Sequence, residues 1–415
     1  MQKIKQNLID IKTSSTLAIN ELSRKLESEG KEIYKFGLGQ SPFPVPDSLV
    51  EELKNNSHQK DYLNVSGLLE LRQQVAKYHS EKNKFSYNAE DIIIGPGSKE
   101  LIFQTQLVLD GILILQRPSW VSYEPQAKIV NKKIHWIDTN LESNWHIDPI
   151  LLDRLCRNIK EETKVLILNS PNNPSGTKHP NLKELALVAK KNDLIVIADE
   201  IYAELDFAGK YESISHFYPE KTIISSGISK WCGAGGWRLG TLIFPKQLNL
   251  VKQIIRSVAS ETFTSVSSPI QYAAVKAYSD DFSVFLSNSR KILKFIGNYI
   301  YEKLNKEGII VNKPQGSFYM LCDFSKKIKL TNEITNSPTL CQKILADIGF
   351  AMLPGKDFGI DEKKLITRIA FVDFEGKKAL NYTSKKEELS NDFLIECCPK
   401  IVTGIEKLIS WVNKN

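Results

Sequence analysis

The sequence lacks the features that mark secreted, membrane and metal-binding proteins. Its 415 residues contain six cysteines without a CxxC pair, and Cys397 and Cys398 are adjacent, a poor geometry for a disulfide. No apolar run approaches the roughly 20 residues that a membrane-spanning helix needs. The N-terminus carries no apolar signal core, and Asp10 and Glu21 disfavour an Arg-rich transit peptide. We therefore expect a cytoplasmic protein with reduced thiols, no membrane contact and no metal site.

Basic stripes are also absent, although Lys and Arg outnumber Asp and Glu by 55 to 48. The net charge of +7 is spread thinly, and no block of like charge carries interleaved aromatic residues. We therefore expect no nucleic-acid partner. The 42% hydrophobic and 25% charged content is ordinary for a globular protein, and the length suits two domains.

Short apolar runs alternate with amphipathic stretches over the middle of the chain. The runs are bounded by turn residues, as expected for buried parallel strands: Ile92–Ile94, Ile112–Leu115, Val165–Leu168, Leu194–Ala198, Thr222–Ile224 and Thr241–Phe244. Leu182 to Lys191 predicts a crossover helix between two of them. The pattern predicts an α/β fold, with a large domain over residues 45–305 whose mostly parallel sheet is wrapped by helices.

The two chain ends, residues 1–44 and 306–415, are predicted to form a smaller α+β domain. A helix-like pattern runs from about Ile11 to Glu29, and another helix starts at about Pro399. In sheets of the α/β kind, ligands gather beyond the carboxyl ends of the strands. The loops that follow the apolar runs are therefore the candidates for a functional site.

The most specific of these loops is Gly227 to Gly240, which follows an apolar run and carries Lys230 and Arg238 among small residues. A lysine that a rigid loop strips of water has a lowered amine pKa. Such an amine can form an imine with a cofactor aldehyde and later act as a general base. The alternative is a surface lysine in a flexible glycine-rich loop.

This segment resembles the cofactor-lysine signature of the class I and II aminotransferases, which are fold-type I pyridoxal-phosphate enzymes. The likeness runs from roughly residue 33 to residue 371 and includes bacterial aspartate aminotransferases. It implies pyridoxal 5′-phosphate as the cofactor, held by Lys230 as a Schiff base. Many members have a phosphate-binding serine where this chain has Gly227. That contact would then come from the backbone, from Ser226 or from Ser229.

Three further loops match the residues that hold the cofactor ring in this family. Asn173 and Tyr202 match the partners of the ring's phenolic oxygen. Asp199 matches the carboxylate that keeps the ring nitrogen protonated, which makes the ring an electron sink. Trp120 matches the indole that stacks on the ring. Taken alone, a turn, a solvated loop and a core tryptophan would explain the same residues.

The cofactor phosphate has candidates at the start of a predicted helix, where free N–H groups and the helix dipole attract anions. These are Gly97, Ser98 and Lys99, with Arg238 as a clamp whose guanidinium suits phosphate oxygens. Tyr62 matches a tyrosine that reaches the phosphate of the partner subunit's cofactor. The resemblance therefore implies a homodimer with shared active sites.

The substrate residues implied by the resemblance are Arg368, which binds the α-carboxylate as a bidentate pair, together with Gly39 and Asn173. The implied activity is ping-pong transfer of an amino group from an amino acid to a 2-oxo acid, by family habit 2-oxoglutarate. In some bacterial aspartate aminotransferases, the lysine at the position of Lys99 reaches the distal carboxylate of a dicarboxylic substrate. A solvated lysine at a helix start is the alternative.

Two other functions use the same constellation. A C–S β-lyase, or a decarboxylating or cyclising synthase, would need the same cofactor residues, so the sequence separates these reactions poorly. A ligand-binding regulator would carry a DNA-binding domain, for which the roughly 35 residues before Phe36 are too few. The charged stretch from Asp373 to about Phe393 exceeds the family pattern. It could be a lid, a dimer contact or a passive insertion.

Overall fold

A computed structural model describes residues 4–160, 163–386 and 388–415. The strands of this part of the chain are β1 (Tyr34–Lys35), β2 (Ile92–Gly95), β3 (Ile112–Arg117), β4 (Ile134–Asp138), β5 (Lys164–Asn169), β6 (Ile195–Asp199), β7 (Thr222–Gly227), β8 (Gly240–Ile243), β9 (Ile310–Val311), β10 (Tyr319–Asp323), β11 (Phe350–Ala351), β12 (Leu353–Pro354) and β13 (Ile366–Ala370).

The helices in the same ranges are α1 (Gln6–Ile9), α2 (Ser15–Ser28), α3 (Asp47–Asn55), α4 (Leu69–Asn83), α5 (Ser98–Val108), α6 (Tyr123–Ile129), α7 (Pro149–Asn158), α8 (Leu182–Lys191), α9 (Asn249–Ser260), α10 (Ser268–Ser279), α11 (Ser283–Lys306), α12 (Ser337–Ile348), α13 (Gly376–Thr383), α14 (Asn391–Cys397) and α15 (Pro399–Lys414). The predicted crossover helix and C-terminal helix are confirmed as α8 and α15. The first predicted helix starts four residues late, at Ser15.

Seven strands form the central sheet in the order β2-β8-β7-β6-β5-β3-β4. Strands β3 to β7 pair in parallel, whereas β8 is antiparallel to both β2 and β7. The mostly parallel α/β fold is therefore confirmed, but the expected parallel direction of Thr241–Phe244 is wrong. The reason lies in the connection, because residues 228–239 form a loop without a crossover helix, and only antiparallel neighbours can be joined in this way.

The sheet is apolar on both faces because helices cover both. Along β6, Ile195 and Ile197 pack with the cluster that includes α5, α6 and α9. The alternate residues, Val196 and Ala198, pack with the cluster of α7 and α8. This arrangement explains why the central strands are continuous apolar runs in the sequence. Strand β4 was not predicted, since it is a half-buried edge strand that includes His135 and Trp136.

A second, smaller sheet is antiparallel and has the order β12-β13-β10-β9. Near it, β1 pairs in parallel with β11, with Tyr34 opposite Phe350. The beginning of the chain is thus held against its last third, as expected for a smaller unit that both chain ends build. The domain limits at residues 45 and 305 stay a prediction.

The charged stretch that follows residue 372 packs into the protein. Phe393 is fully buried, with its ring 5.5 Å from the Tyr382 ring and 5.9 Å from the Phe295 ring on α11. Asp373 accepts a hydrogen bond from the Lys35 backbone N–H at 2.8 Å. A Cβ on Gly376 would lie 2.0 Å from the Pro42 carbonyl oxygen. The stretch therefore supports α11, β1 and the loop that follows Gly39.

All six cysteines are buried and unpaired. None of the described helices combines the length and the apolarity needed to cross a membrane.

Candidate active site

The candidate site lies at the carboxyl ends of β5, β6 and β7. The strand register places Asn169, Asp199 and Ser225 side by side, one from each strand. The loops that follow these residues carry Asn173, Tyr202 and Lys230. Parallel pairing therefore brings together side chains that are up to 57 positions apart between Asn173 and Lys230.

Lys230 occupies the centre of the site. Its Nζ donates a hydrogen bond to the Gly39 carbonyl oxygen at 2.8 Å and lies 5.9 Å from the ring centres of Tyr202 and Phe318. Burial and, to a smaller extent, the nearby guanidinium of Arg368 lower the pKa of Lys230 to about 8, whereas Asp199 opposes the shift. About a tenth of the amine is consequently neutral at pH 7. This neutral form is the one that can act as a nucleophile or a base.

Asp199 is buried at the end of β6 and accepts a hydrogen bond from the Tyr123 hydroxyl at 2.5 Å. Burial raises its pKa to about 6, against the opposing effects of Tyr123 and Lys230. Asn169 fixes the neighbouring loops, because its Nδ2 donates to the Asp199 carbonyl and its Oδ1 accepts from the Asn173 backbone N–H. The carboxylate is thus held rigidly in a pocket that favours a cationic partner.

Arg368 is fully buried on β13, between the rings of Tyr319 and Phe358 at 4.6 and 5.1 Å. Its guanidinium donates to the Gly37 carbonyl and to Asn173 Oδ1, the latter at 3.3 Å. Its Nε has no hydrogen-bond partner among the described residues, and no carboxylate there forms an ion pair with it. Asp357 is the carboxylate that acts on this guanidinium electrostatically, without a hydrogen bond or a close ion pair to it. A buried guanidinium with a free N–H can bind a ligand carboxylate.

The glycine-rich loop before α5 lies against Arg238. Gly97 has a φ of +93°, and a Cβ there would lie 2.2 Å from Arg238 Nη2. The Arg238 guanidinium donates to the carbonyl oxygens of Gly235 and Pro96, at 2.9 and 3.2 Å. Helix α5 starts at Ser98, so its first N–H groups have no helical partner. Free N–H groups beside an arginine make an anion site.

Lys99 and Trp120 lie at the start of α5. Lys99 is exposed, and its Nζ lies 5.2 Å from the centre of the half-buried Trp120 ring. That ring packs edge-on against Tyr123 at 5.2 Å. Trp120 therefore contacts Tyr123, which bonds to Asp199, and Lys99 is separated from Tyr123 by the Trp120 ring.

Three predicted residues lie less centrally. Ser226 borders a small cavity with Lys82 and Glu200 and not the pocket of Lys230. Ser229 precedes Lys230 and is half-buried. Tyr62 lies on the surface with 89% of its area exposed.

Sequence reasoning missed three residues of the pocket. Tyr123 binds Asp199, Ser225 lies beside Asp199 with a buried hydroxyl that has no partner among the described residues, and Tyr319 bonds to Tyr202. Successive side chains of a strand point to opposite faces, so Ser225 and Ser226 cannot both face the site. The strand register pairs Ser225 with Asp199, which makes Ser225 the residue at the site. Tyr319 lies at least 79 positions from every matched motif except Arg368, and no local pattern indicates its role.

The site's charges favour an anionic ligand. Lys99, Lys230, Arg238 and Arg368 surround the pocket, and Asp199 is the carboxylate that faces Lys230. Arg238 contacts the loop before α5, Arg368 lies on β13, and both guanidiniums lower the pKa of Lys230. Fold and site together define an α/β protein in which a buried lysine with a lowered pKa lies near two arginines.

Comparison with known proteins identifies the family. The model for "Aminotransferase class I and II" matches residues 31–375, so the chain belongs to this family. An aspartate/prephenate aminotransferase from Thermus thermophilus is 29% identical over 367 residues, which cover 86% of this chain and 92% of the relative. A bifunctional aspartate aminotransferase and glutamate/aspartate-prephenate aminotransferase from Petunia hybrida is 30% identical and covers 85% of this chain, with 76% of its own length matched.

A solved structure agrees with the sequence relatives. The aspartate aminotransferase of Thermus thermophilus with maleate superposes with a TM-score of 0.82 at 27% identity, over 93% of this chain and all of that chain. The protein is therefore an amino-acid aminotransferase of a family that depends on pyridoxal phosphate. The resemblance stated from the sequence is confirmed.

Replacing Lys230 by Met should change stability in a pH-dependent way. The folded protein lowers the pKa of Lys230 from 10.5 to about 8, so burying the charged amine destabilises the fold fully below pH 8 and not at all above about 10.5. Without cofactor, Lys230→Met should be more stable than the original protein at pH 7, by about 1 to 3 kcal/mol. The loss of the hydrogen bond from Lys230 to Gly39 reduces this gain. This advantage should shrink towards pH 10 in urea unfolding.

The matched control is Lys54→Met, because the Lys54 side chain is 67% exposed. Its stability difference should stay small and constant with pH. A Lys230→Met advantage that is absent at pH 7, or that grows with pH, would contradict the assigned direction of the pKa shift.

Proposed function

We propose that this chain binds pyridoxal 5′-phosphate on Lys230 and moves an amino group from a dicarboxylic amino acid to a 2-oxo acid, with 2-oxoglutarate as the usual acceptor. The observation that carries the proposal is the meeting of Lys230, Asp199 and Arg368, from three separate parts of the chain, in one pocket. Lys230 and Asp199 have the shifted pKa values that the reaction needs, and Arg368 has a free N–H.

The residues present fit the cofactor. Asp199 offers a buried carboxylate to the ring nitrogen, and Tyr202 and Asn173 offer an O–H and an N–H donor to the phenolic oxygen. Trp120 offers an aromatic face. The phosphate would lie at the start of α5, beside Gly97, where the backbone N–H groups of Ser98 and Lys99 and the Arg238 guanidinium would donate to it. When bound, the protonated ring withdraws electrons from the α-carbon of the substrate.

The protein's own groups perform the remaining steps. Arg368 binds the substrate α-carboxylate through its free Nε and the adjacent Nη, which fixes the amino acid relative to Lys230. The neutral Lys230 Nζ accepts the α-proton and returns it, a role that its lowered pKa permits. Asp199 stays ionised near neutral pH and retains the proton on the ring nitrogen through charge attraction.

The preference for a dicarboxylic substrate is supported by Lys99. Its ammonium lies over the Trp120 ring and forms no ion pair among the described residues. It is thus available to a second carboxylate beyond the one that Arg368 binds. The relatives reported above carry aspartate in their names, which agrees with this choice.

A donor and acceptor screen tests the function. We expect aspartate or glutamate to yield its 2-oxo acid when 2-oxoglutarate or another 2-oxo acid accepts the amino group. Lys99→Ala should raise KM for the acidic partner roughly tenfold, because a charge-assisted hydrogen bond contributes about 1.5 to 3 kcal/mol. KM for neutral donors should change less than twofold in the same variant, which corresponds to about 0.4 kcal/mol or less.

Lys54→Ala is the control for the loss of an exposed lysine, and it should change neither KM. Release of pyruvate and ammonia in place of transfer would assign the chain to the C–S lyase reaction. Equal effects of Lys99→Ala on acidic and neutral donors would contradict the acidic preference.

We also propose that the active enzyme is a homodimer with shared sites. Lys99 and Arg238, on the proposed phosphate side of the pocket, are exposed to solvent, and so is Tyr62. The neighbouring Lys60–Asp61 ion pair is also solvent-exposed. A second subunit that covers the phosphate side and inserts its Tyr62 would explain these exposures together.

Mixed dimers test the shared site. A Lys230→Ala subunit retains Tyr62, and a Tyr62→Ala subunit retains Lys230, so one of the two sites in a hybrid would be complete. We expect verified hybrids to recover about half of the original activity per dimer, whereas each parent variant stays far below it. Recovery no greater than that of the Tyr62→Ala parent would contradict a site shared between subunits.

A further inference from the structure

Tyr319 contacts three residues of the active site without belonging to any matched motif. It begins β10 and is 1% exposed. Its hydroxyl lies 2.8 Å from the Tyr202 hydroxyl and 3.5 Å from the Gly39 carbonyl oxygen. Its ring supports the Arg368 guanidinium at 4.6 Å. One side chain therefore joins the proposed cofactor side and the proposed substrate side.

The backbone around Tyr319 leaves room for its hydroxyl. A Cβ on Gly39 would lie 1.9 Å from that hydroxyl oxygen, so residue 39 must be glycine for Tyr319 to occupy this position. The Gly39 carbonyl also receives the Lys230 Nζ hydrogen bond at 2.8 Å. Strand β10 pairs with β13, which places Tyr319 opposite Ala370 and fixes its distance to Arg368. The contact is thus built into the strand pairing.

The direction of the bond between the two tyrosines follows from the proposed function. Tyr202 has one O–H, and it would donate that O–H to the phenolic oxygen of the cofactor. Its oxygen then accepts, and Tyr319 is the donor. A phenol that accepts a hydrogen bond becomes a stronger donor itself, because hydrogen bonds in a chain polarise one another.

We propose that Tyr319 is a positioning residue that strengthens the Tyr202 hydroxyl as a donor and holds Arg368 in plane for the substrate carboxylate. The inference rests on the proposed function and adds a residue that none of the matched motifs contains. The charged and titratable groups that face this pair are Asp199 from β6, Lys230 from the loop after β7 and Arg368 from β13.

The test uses Tyr319→Phe in cofactor-loaded protein without substrate. Removing the hydroxyl weakens the Tyr202 donor, which destabilises the deprotonated form of the bound chromophore. We expect the pH midpoint of its visible absorbance to rise by about 0.5 to 1 unit. We expect kcat to fall about fivefold, while KM for the amino acid changes less than about twofold because the ring still supports Arg368.

Tyr319→Leu removes the ring as well, so it should also raise KM by about tenfold. In a Tyr202→Phe background, Tyr319→Phe should no longer shift the absorbance midpoint, since its effect passes through Tyr202. Tyr218→Phe is the matched control. That tyrosine is buried and donates to the Leu194 carbonyl at 3.1 Å outside the site, and its loss should not move the midpoint.

An unchanged midpoint in Tyr319→Phe, or a shift that persists in the Tyr202→Phe background, overturns the inference while leaving the proposed function intact. Colourless original protein that forms no 2-oxo acid overturns both. A KM that rises equally in the Phe and Leu variants overturns the role of the ring beneath Arg368.

Discussion

The structure depends on one electrostatic constraint, which is the placement of Lys230 close to Arg368, Arg238 and Lys99 with Asp199 as the opposing charge. Burial and like charge both lower the pKa of Lys230, to about 8. A site of this kind stores unfavourable energy in the ligand-free protein, because buried charges without partners are costly. The same excess of positive charge favours an anionic ligand.

The scaffold must hold these charges against their repulsion, and the sheet explains how it does so. Parallel strands β5, β6 and β7 end at one edge, and Asn169 ties the loops after β5 and β6 together through two hydrogen bonds. The antiparallel return of β8 keeps the Lys230 loop short and places Gly240 against the start of α5, where a Cβ would lie 2.3 Å from the Ser98 nitrogen. The loop before α5 and the loop that carries Lys230 are therefore packed directly together.

Local signals in the sequence were sufficient for the elements that are buried and the motifs that are contiguous. The apolar runs predicted six strands of the central sheet, and the lysine segment indicated the family that the comparisons confirm. The direction of β8 and the existence of β4 depend on pairing partners, which a hydrophobic pattern does not encode. The role proposed for Tyr319 depends on the register of β10 with β13, and the role proposed for Tyr62 depends on a second subunit. Neither role follows from spacing along one chain.

The most direct test of the account is to locate the cofactor on the chain. Protein loaded with pyridoxal 5′-phosphate is reduced with borohydride, digested and mapped by mass spectrometry. The account predicts a phosphopyridoxyl group on the peptide that contains Lys230, and no labelled peptide in Lys230→Ala. Stoichiometric labelling of another lysine, such as Lys99, or an unlabelled Lys230 peptide would contradict it.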